Sequence, residues 1–197
     1  MKRLTRSRVI ADPPIATFLF NNTRLAVVWL LVRLYVGYAW YDAGLHKLQD
    51  PAWMETGKAL QAFWTRAAAV PAPPARPAVT YDWYRAFLQF LLENETHTWF
   101  AKFVAVGEFL IGVALILGIL TGFAAVAGGF MNMNFLLAGT ASVNPVLLLF
   151  AILLILAWKT AGYIGVDHWL LPLLGTPWKA PSERTGTRLA APGAVVR

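Results

Sequence analysis

The sequence predicts an all-α integral membrane protein: a four-transmembrane-helix bundle with a long external loop carrying amphipathic helices. Of the 197 residues, 58% are hydrophobic and only 14% are charged, against about a quarter charged in an ordinary soluble domain. Mean hydropathy is +0.54, and 9 Trp and 12 Phe add large apolar side chains. The apolar residues gather in four runs, each at or near the ~20 residues that cross ~30 Å of hydrocarbon at 1.5 Å per residue. The same composition excludes a disordered chain, a disulfide-stapled secreted domain and a soluble nucleic-acid binder. With 0 Cys, thiolate zinc sites, iron–sulfur clusters, cysteine nucleophiles and dithiol relays are excluded within this chain.

The first span is Leu25–Leu45, carrying Arg33 and Asp42. Its length, its charges and the Gly-Leu-His-Lys at its end argue against a cleaved signal peptide. The second is Trp99–Gly118, with Lys102 and Glu108. A tight turn at Gly118 leads into the third, Thr121–Ala138, uncharged but holding Asn132 and Asn134; these two spans form an antiparallel hairpin. Asn144-Pro145 reads as N-cap and first-turn proline of the fourth, Pro145–Ile164, whose only charge is Lys159. Within the loop 47–98, Trp53, Gly57, Leu60, Trp64 and Ala67 fall at helical spacing over Pro51–Ala68. After the proline-rich Pro71–Pro77, Tyr81–Glu93 is helical in pattern again. Two amphipathic helices on the outer face are expected, their aromatics serving as interfacial anchors before a ligand pocket.

Charge sets the expected orientation. Residues 1–24 hold five basic residues and one acidic, 166–197 four and two, and the loop 47–98 five of each. The basic segments 1–24 and 166–197 then belong in the cytoplasm, and the 25–165 membrane domain sits in the inner (cytoplasmic) membrane with a neutral outer loop.

Ionisable residues inside a bilayer are costly and mark candidate sites. Counted from the span ends, Glu108 lies about 14 Å, Arg33 about 20 Å and Asn132 about 16 Å deep, which predicts one central layer. Tyr35, Tyr38, Asp42 and His46 share a face of the first span. Lys102 is expected at the depth of Asp42, with Lys47 and His97 near the same edge. One reading is structural: Arg33–Glu108 and Asp42–Lys102 pairs fix helix register, and Asn132 and Asn134 join helices. The other is a quinone or proton site, with catalytic candidates Glu108, Arg33 and Asp42. Candidate quinone- or substrate-binding residues are Tyr38, His46, Lys47, His97, Lys102, Asn132 and Asn134. No two spans offer facing mid-membrane histidines for haem, and Asp42, His46 and His97 are too scattered to assign a metal.

Five segments together resemble the DoxX/DoxD-like family of small four-helix membrane proteins: Arg33-Leu-Tyr-Val-Gly with Gly44-Leu-His-Lys47, Gly107-Glu108, Met131-Asn132-Met133-Asn134-Phe135, Ala138 to Pro145, and Ala161 to Asp167. The resemblance covers about Arg33 to Gly175. It implies a membrane subunit of a quinone-linked oxidoreductase, with quinone as substrate or bound ligand. DoxD-type members work with a small DoxA partner and oxidise thiosulfate, while other members are associated with oxidative-stress defence. It carries over no catalytic residue set. The other expectation is a non-catalytic accessory subunit of a larger respiratory or photosynthetic membrane complex. The partners expected are lipid and other membrane or external subunits, not nucleic acid.

Overall fold

The computed structural model describes residues 11–176, and every regular element among them is helical. The order is α1 (Pro14–Asn21), a 3₁₀ turn (Thr23–Leu25), α2 (Ala26–Gln49), α3 (Pro51–Met54), α4 (Lys58–Ala68), α5 (Asp82–Glu93), α6 (His97–Leu117), α7 (Thr121–Leu137), α8 (Asn144–Leu156), α9 (Trp158–Gly162) and α10 (Asp167–Leu173). The terminal parts of the two basic segments lie outside the described residues.

Among the described residues α6 alone is long and apolar enough to cross a membrane. α1 and α2 pass that test together but are bent by 49° at Asn22, while α7 and α8 are apolar and shorter, 17 and 13 residues. The run expected as one fourth span is interrupted at Ala157, so α8 and α9 are separate helices. Asn144 is the first residue of α8 rather than its cap, and its amide donates to the Thr140 carbonyl at 3.0 Å.

α2 and α6 form the most extensive helix pair, followed by α7 and α8. Missing side chains make the first pair possible. A Cβ on Gly44 would fall on the Phe109 backbone, one on Gly112 on the Tyr41 backbone, and one on Gly37 against Leu115 and Ile116. These approaches fix an antiparallel register in which residue 44 of α2 faces 109 of α6. Gly128 of α7 lies beside Trp40 and Ile111, and Gly129 beside Ala151 and Leu148 of α8. A core of Trp29, Val36, Trp40, Leu115, Ala125 and Leu154 fills the space between these helices.

α6 continues for about two turns past the level at which α2 ends, and α4 and α5 build a second core around its first half. Leu60, Trp64, Ala67, Tyr84, Leu88 and Leu91 pack there with Ala101 and Ala138. The α3–α4 turn depends on Gly57 (φ +69°), where a side chain would strike the His97 carbonyl. The amphipathic helices of the loop are thus a packed layer, burying Trp64 and Tyr84 and leaving Trp83, Phe87 and Phe90 exposed.

The opposite end is closed by backbone pairing of 166–167 with 117–118: Val166 N–H donates to Leu117 O at 3.1 Å and Asp167 N–H to Gly118 O at 2.8 Å.

Candidate functional site

Two cavities lie side by side where the loop layer meets the four long helices. One, of about 420 Å³, runs between α4, α5, α6 and α7 and is lined by Phe63, Trp64, Tyr84, Phe87, Phe100, Phe103, Leu110, Phe130 and Asn134 among others. It is almost wholly apolar. Its polar feature is the Tyr84 hydroxyl, which donates to the Asn134 carbonyl at 3.0 Å and reaches Asn134 Oδ1 at 3.3 Å. Burial pushes the Tyr84 phenol up to about 12, because the phenolate would have to give up its hydration. The second cavity, of about 520 Å³, lies between α2, α3, α4, the 140–144 segment and the start of α8; Lys47, Trp53, Arg66, Glu108 and Asn144 are among its lining residues, with Trp40 and Leu147. Phe63 and Phe135 line both cavities, their rings edge to face at 6.4 Å.

The charged centre of the second cavity is an ion pair. Lys47 Nζ donates to Glu108 Oε2 at 2.5 Å, with Glu108 1% exposed. The helix register produces it: α2 and α6 are antiparallel and touch at Gly44, so residue 47, one turn on, meets the turn of α6 that carries Glu108. The Lys47 ammonium also lies 5.1 Å from the Trp53 ring centre, a cation–π contact that further compensates its loss of water. Asn132 is at the same level, since α7 runs antiparallel to α6 and Met131 neighbours Gly107. Asn132 is fully buried with neither amide atom bonded, and the buried Trp40 indole N–H is also without a partner. Buried polar groups are normally bonded, so this layer retains unused donors and an acceptor.

The expected layer of Arg33, Glu108 and Asn132 is therefore corrected in one member. Arg33 lies beside Gly118, ten residues from Glu108, about 15 Å along α6. Depth counted from separate helix ends assumed that the ends are flush, and α6 projects well beyond α2. Among the described residues Arg33 pairs with neither Glu108 nor any other carboxylate at contact distance. It is 1% exposed, donates from Nη2 to the Ile164 carbonyl at 2.7 Å, and leaves Nε and Nη1 unbonded. Asp167, also buried, accepts from the Leu120 and Thr121 N–H groups at 2.7 and 2.8 Å. A carboxylate there satisfies free N–H groups at the start of α7 and complements the helix dipole.

The cluster expected at the loop edge is dispersed. Lys47 is engaged by Glu108. His46 and Lys102 are exposed, and Asp42 has His46 Nδ1 at 3.6 Å rather than Lys102 as its neighbour. His97 is buried at the start of α6, where its Nδ1 has no partner. Tyr38 is 64% exposed and borders neither cavity. Asn134 does reach the apolar cavity. Among the described residues no group of three His, Cys, Asp or Glu side chains is placed to hold a metal ion.

Sequence reasoning missed Trp40, Phe63, Tyr84, Arg66 and Phe135 as cavity residues. The loop stripe containing Leu60 and Trp64 is the available signal, but interfacial anchoring is a commoner meaning of such a face than a pocket. It missed Asp167 as well, since a cap supplied from 47 residues away leaves no local pattern.

Comparison with family profiles, with curated proteins and with solved structures finds no match to this chain.

Proposed function

We propose that this chain is a four-span membrane subunit of a quinone-linked oxidoreductase, of the DoxX/DoxD kind that its sequence resembles. The membrane reading is supported by the outward side chains. Val28, Leu31, Leu34, Phe103, Leu110, Phe123, Val126, Leu149 and Ile152 are all exposed apolar residues on the long helices, while Arg33 and Glu108 are buried. On α6 the exposed apolar residues run from Trp99 to Leu117, about 27 Å at 1.5 Å per residue, close to the hydrocarbon thickness of a bilayer. Soluble monomers rarely expose apolar surface on this scale, which favours the membrane reading. α8 and α9 together complete the fourth crossing. An even number of crossings leaves both basic segments on the cytoplasmic side of the inner membrane and the α3–α5 layer on its outer side, packed around the first half of α6.

The observation that carries the functional reading is the shared aromatic wall. An apolar, aromatic-lined cavity suits a quinone ring, and Phe63 and Phe135 divide it from a cavity with Lys47, Arg66 and Glu108. Reduction of a quinone takes two electrons and two protons. Glu108, on the polar side, is the carboxyl group suited to deliver those protons, and Lys47 holds it in place between transfers. Cationic Lys47 and Arg66 suit a small sulfur anion such as thiosulfate, or the docking of a DoxA-like partner that handles it.

Glu108→Gln keeps the side-chain volume and can still accept from Lys47. Turnover of donor with quinone is expected to fall by about a hundredfold or more, the usual contribution of a proton-transfer group, with the purified complex intact. Unchanged turnover would remove Glu108 from the reaction. The exposed Trp83, Phe87 and Phe90 of α5 favour a second reading, a non-catalytic accessory subunit docked in a larger membrane complex; there the same substitution changes assembly while turnover per assembled complex stays constant.

A further inference from the structure

The outward face of α2 carries a pattern that the quinone reading does not use. Leu31, Tyr35, Tyr38, Asp42, Leu45 and Gln49 repeat at alternating spacings of four and three, the seam of a two-helix coiled coil. Much of the seam is uncovered: Leu31 is 63% and Tyr38 64% exposed, the Asp42 side chain 49%, and Tyr35 51% although its ring meets Phe150 of α8 edge to face. Glu108, one turn away in depth, is buried by contrast. Tyr41 packs on Gly112, which places Asp42 well inside the apolar girdle, about 20 Å along α6 from Trp99. A half-exposed carboxylate facing lipid there would be costly, and such residues in membranes face a partner or a water-filled space.

We infer that this face of α2 binds a second copy of the same chain, in a parallel two-fold dimer. The inference rests on the membrane reading but not on the quinone. Copies inserted by the same charge rule have the same orientation, so a dimer axis runs along the membrane normal, and each residue meets itself and its neighbours one turn away. Tyr38, a hydroxyl donor, lies one turn from Asp42, an acceptor. The seam is therefore self-complementary: the Tyr38 hydroxyl of each copy reaches Asp42 of the other, twice by symmetry. His46 lies a further turn on and closes the polar centre. The apolar Leu31 and Leu45 pack on either side of it. A polar pair inside an otherwise apolar seam fixes register and partner number, as a buried polar residue does in coiled coils.

The chain has no cysteine, so single-cysteine chemistry tests this cleanly in native membranes. Oxidation of Leu31→Cys and Tyr35→Cys is expected to give a disulfide-linked homodimer, and Val126→Cys and Leu149→Cys, exposed on α7 and α8, are expected to give none. Asp42→Ala in the Leu31→Cys chain should cut the cross-link about fivefold or more, with Asp42→Asn restoring it, as expected for an interhelical hydrogen bond. Should Asp42→Ala fail to accumulate, Tyr38→Phe supplies the same test from the donor side. No dimer band, an equal band at the control positions, a cross-link to a different protein, or indifference to Asp42→Ala overturns the dimer. Labelling of the same cysteines in these membranes by a water-soluble maleimide separates the failures. Strong labelling at Leu31→Cys and Tyr35→Cys overturns the membrane reading, and the dimer with it. Protected cysteines that do not cross-link overturn the dimer alone.

Discussion

Glu108 is buried and the Lys47 side chain is four-fifths covered, so each polar group depends on the other for compensation. Removing one leaves an uncompensated buried charge, whereas replacing both with apolar residues removes the desolvation penalty as well. Lys47→Met alone should destabilise the protein by about 3 kcal/mol, and Lys47→Met with Glu108→Leu should be close to wild type. Reversible unfolding in mixed micelles measures both; a double variant as unstable as the single one would mean that the pair has no mutual dependence. Tyr84 is the second residue with a calculable consequence. Its phenol titrates near 10 when the chain is unfolded and is pushed up to about 12 in the folded protein. The neutral form is thus preferred on folding. The associated stability is fully present below pH 10 and is lost as pH rises towards 12, where the unfolded chain alone has released the proton. Thermal melts across that interval should show a falling stability that is flatter in Tyr84→Phe, at a cost of about 1 kcal/mol for the lost hydrogen bond to Asn134. Equal slopes in the two proteins would assign the alkaline loss to other groups.

At the scale of helices, small residues set the architecture. Gly44 and Gly112 bring two backbones together, and that contact places residue 47 against residue 108. Gly112→Ala should destabilise by about 1–3 kcal/mol through forced separation of α2 and α6. Gly107→Ala, whose added carbon meets only Met131 Sδ at 3.9 Å, should be tolerated. Melting temperatures of the two variants decide it, and equal effects would contradict the register. Helix positions were legible in the sequence because apolar run length and the Gly118 and Asn144-Pro145 punctuation are local. The structure returns α6 as His97–Leu117 where Trp99–Gly118 was expected, and α7 as Thr121–Leu137 where Thr121–Ala138 was. The break at Ala157 was not legible, since Leu153 to Thr160 reads as continuous apolar helix and no proline or glycine marks it. α1 and α10, of 8 and 7 residues, are too short to show a helical period within the basic segments.

For the whole molecule, what could not be read was relative height. Sequence gives the depth of a residue along its own helix, and only packing shows that α6 stands about two turns above the end of α2. That offset removed Arg33 from the polar layer and put Lys47 into it. It also made room for α4 and α5 to enclose the apolar cavity, so the loop expected to anchor the protein contributes Leu60, Trp64, Tyr84 and Leu88 to a cavity wall. The resulting arrangement, two cavities divided by Phe63 and Phe135 with a buried ion pair on one side, supports the quinone reading better than any single residue does. Its most direct test is photoaffinity labelling of the protein, in native membranes, with an azido-quinone followed by peptide mapping. The account predicts saturable attachment within 84–91, 100–111 and 127–135, displaced by excess short-chain quinone. Attachment confined to the lipid-facing residues of α2 and α8, or attachment that excess quinone does not displace, would contradict it.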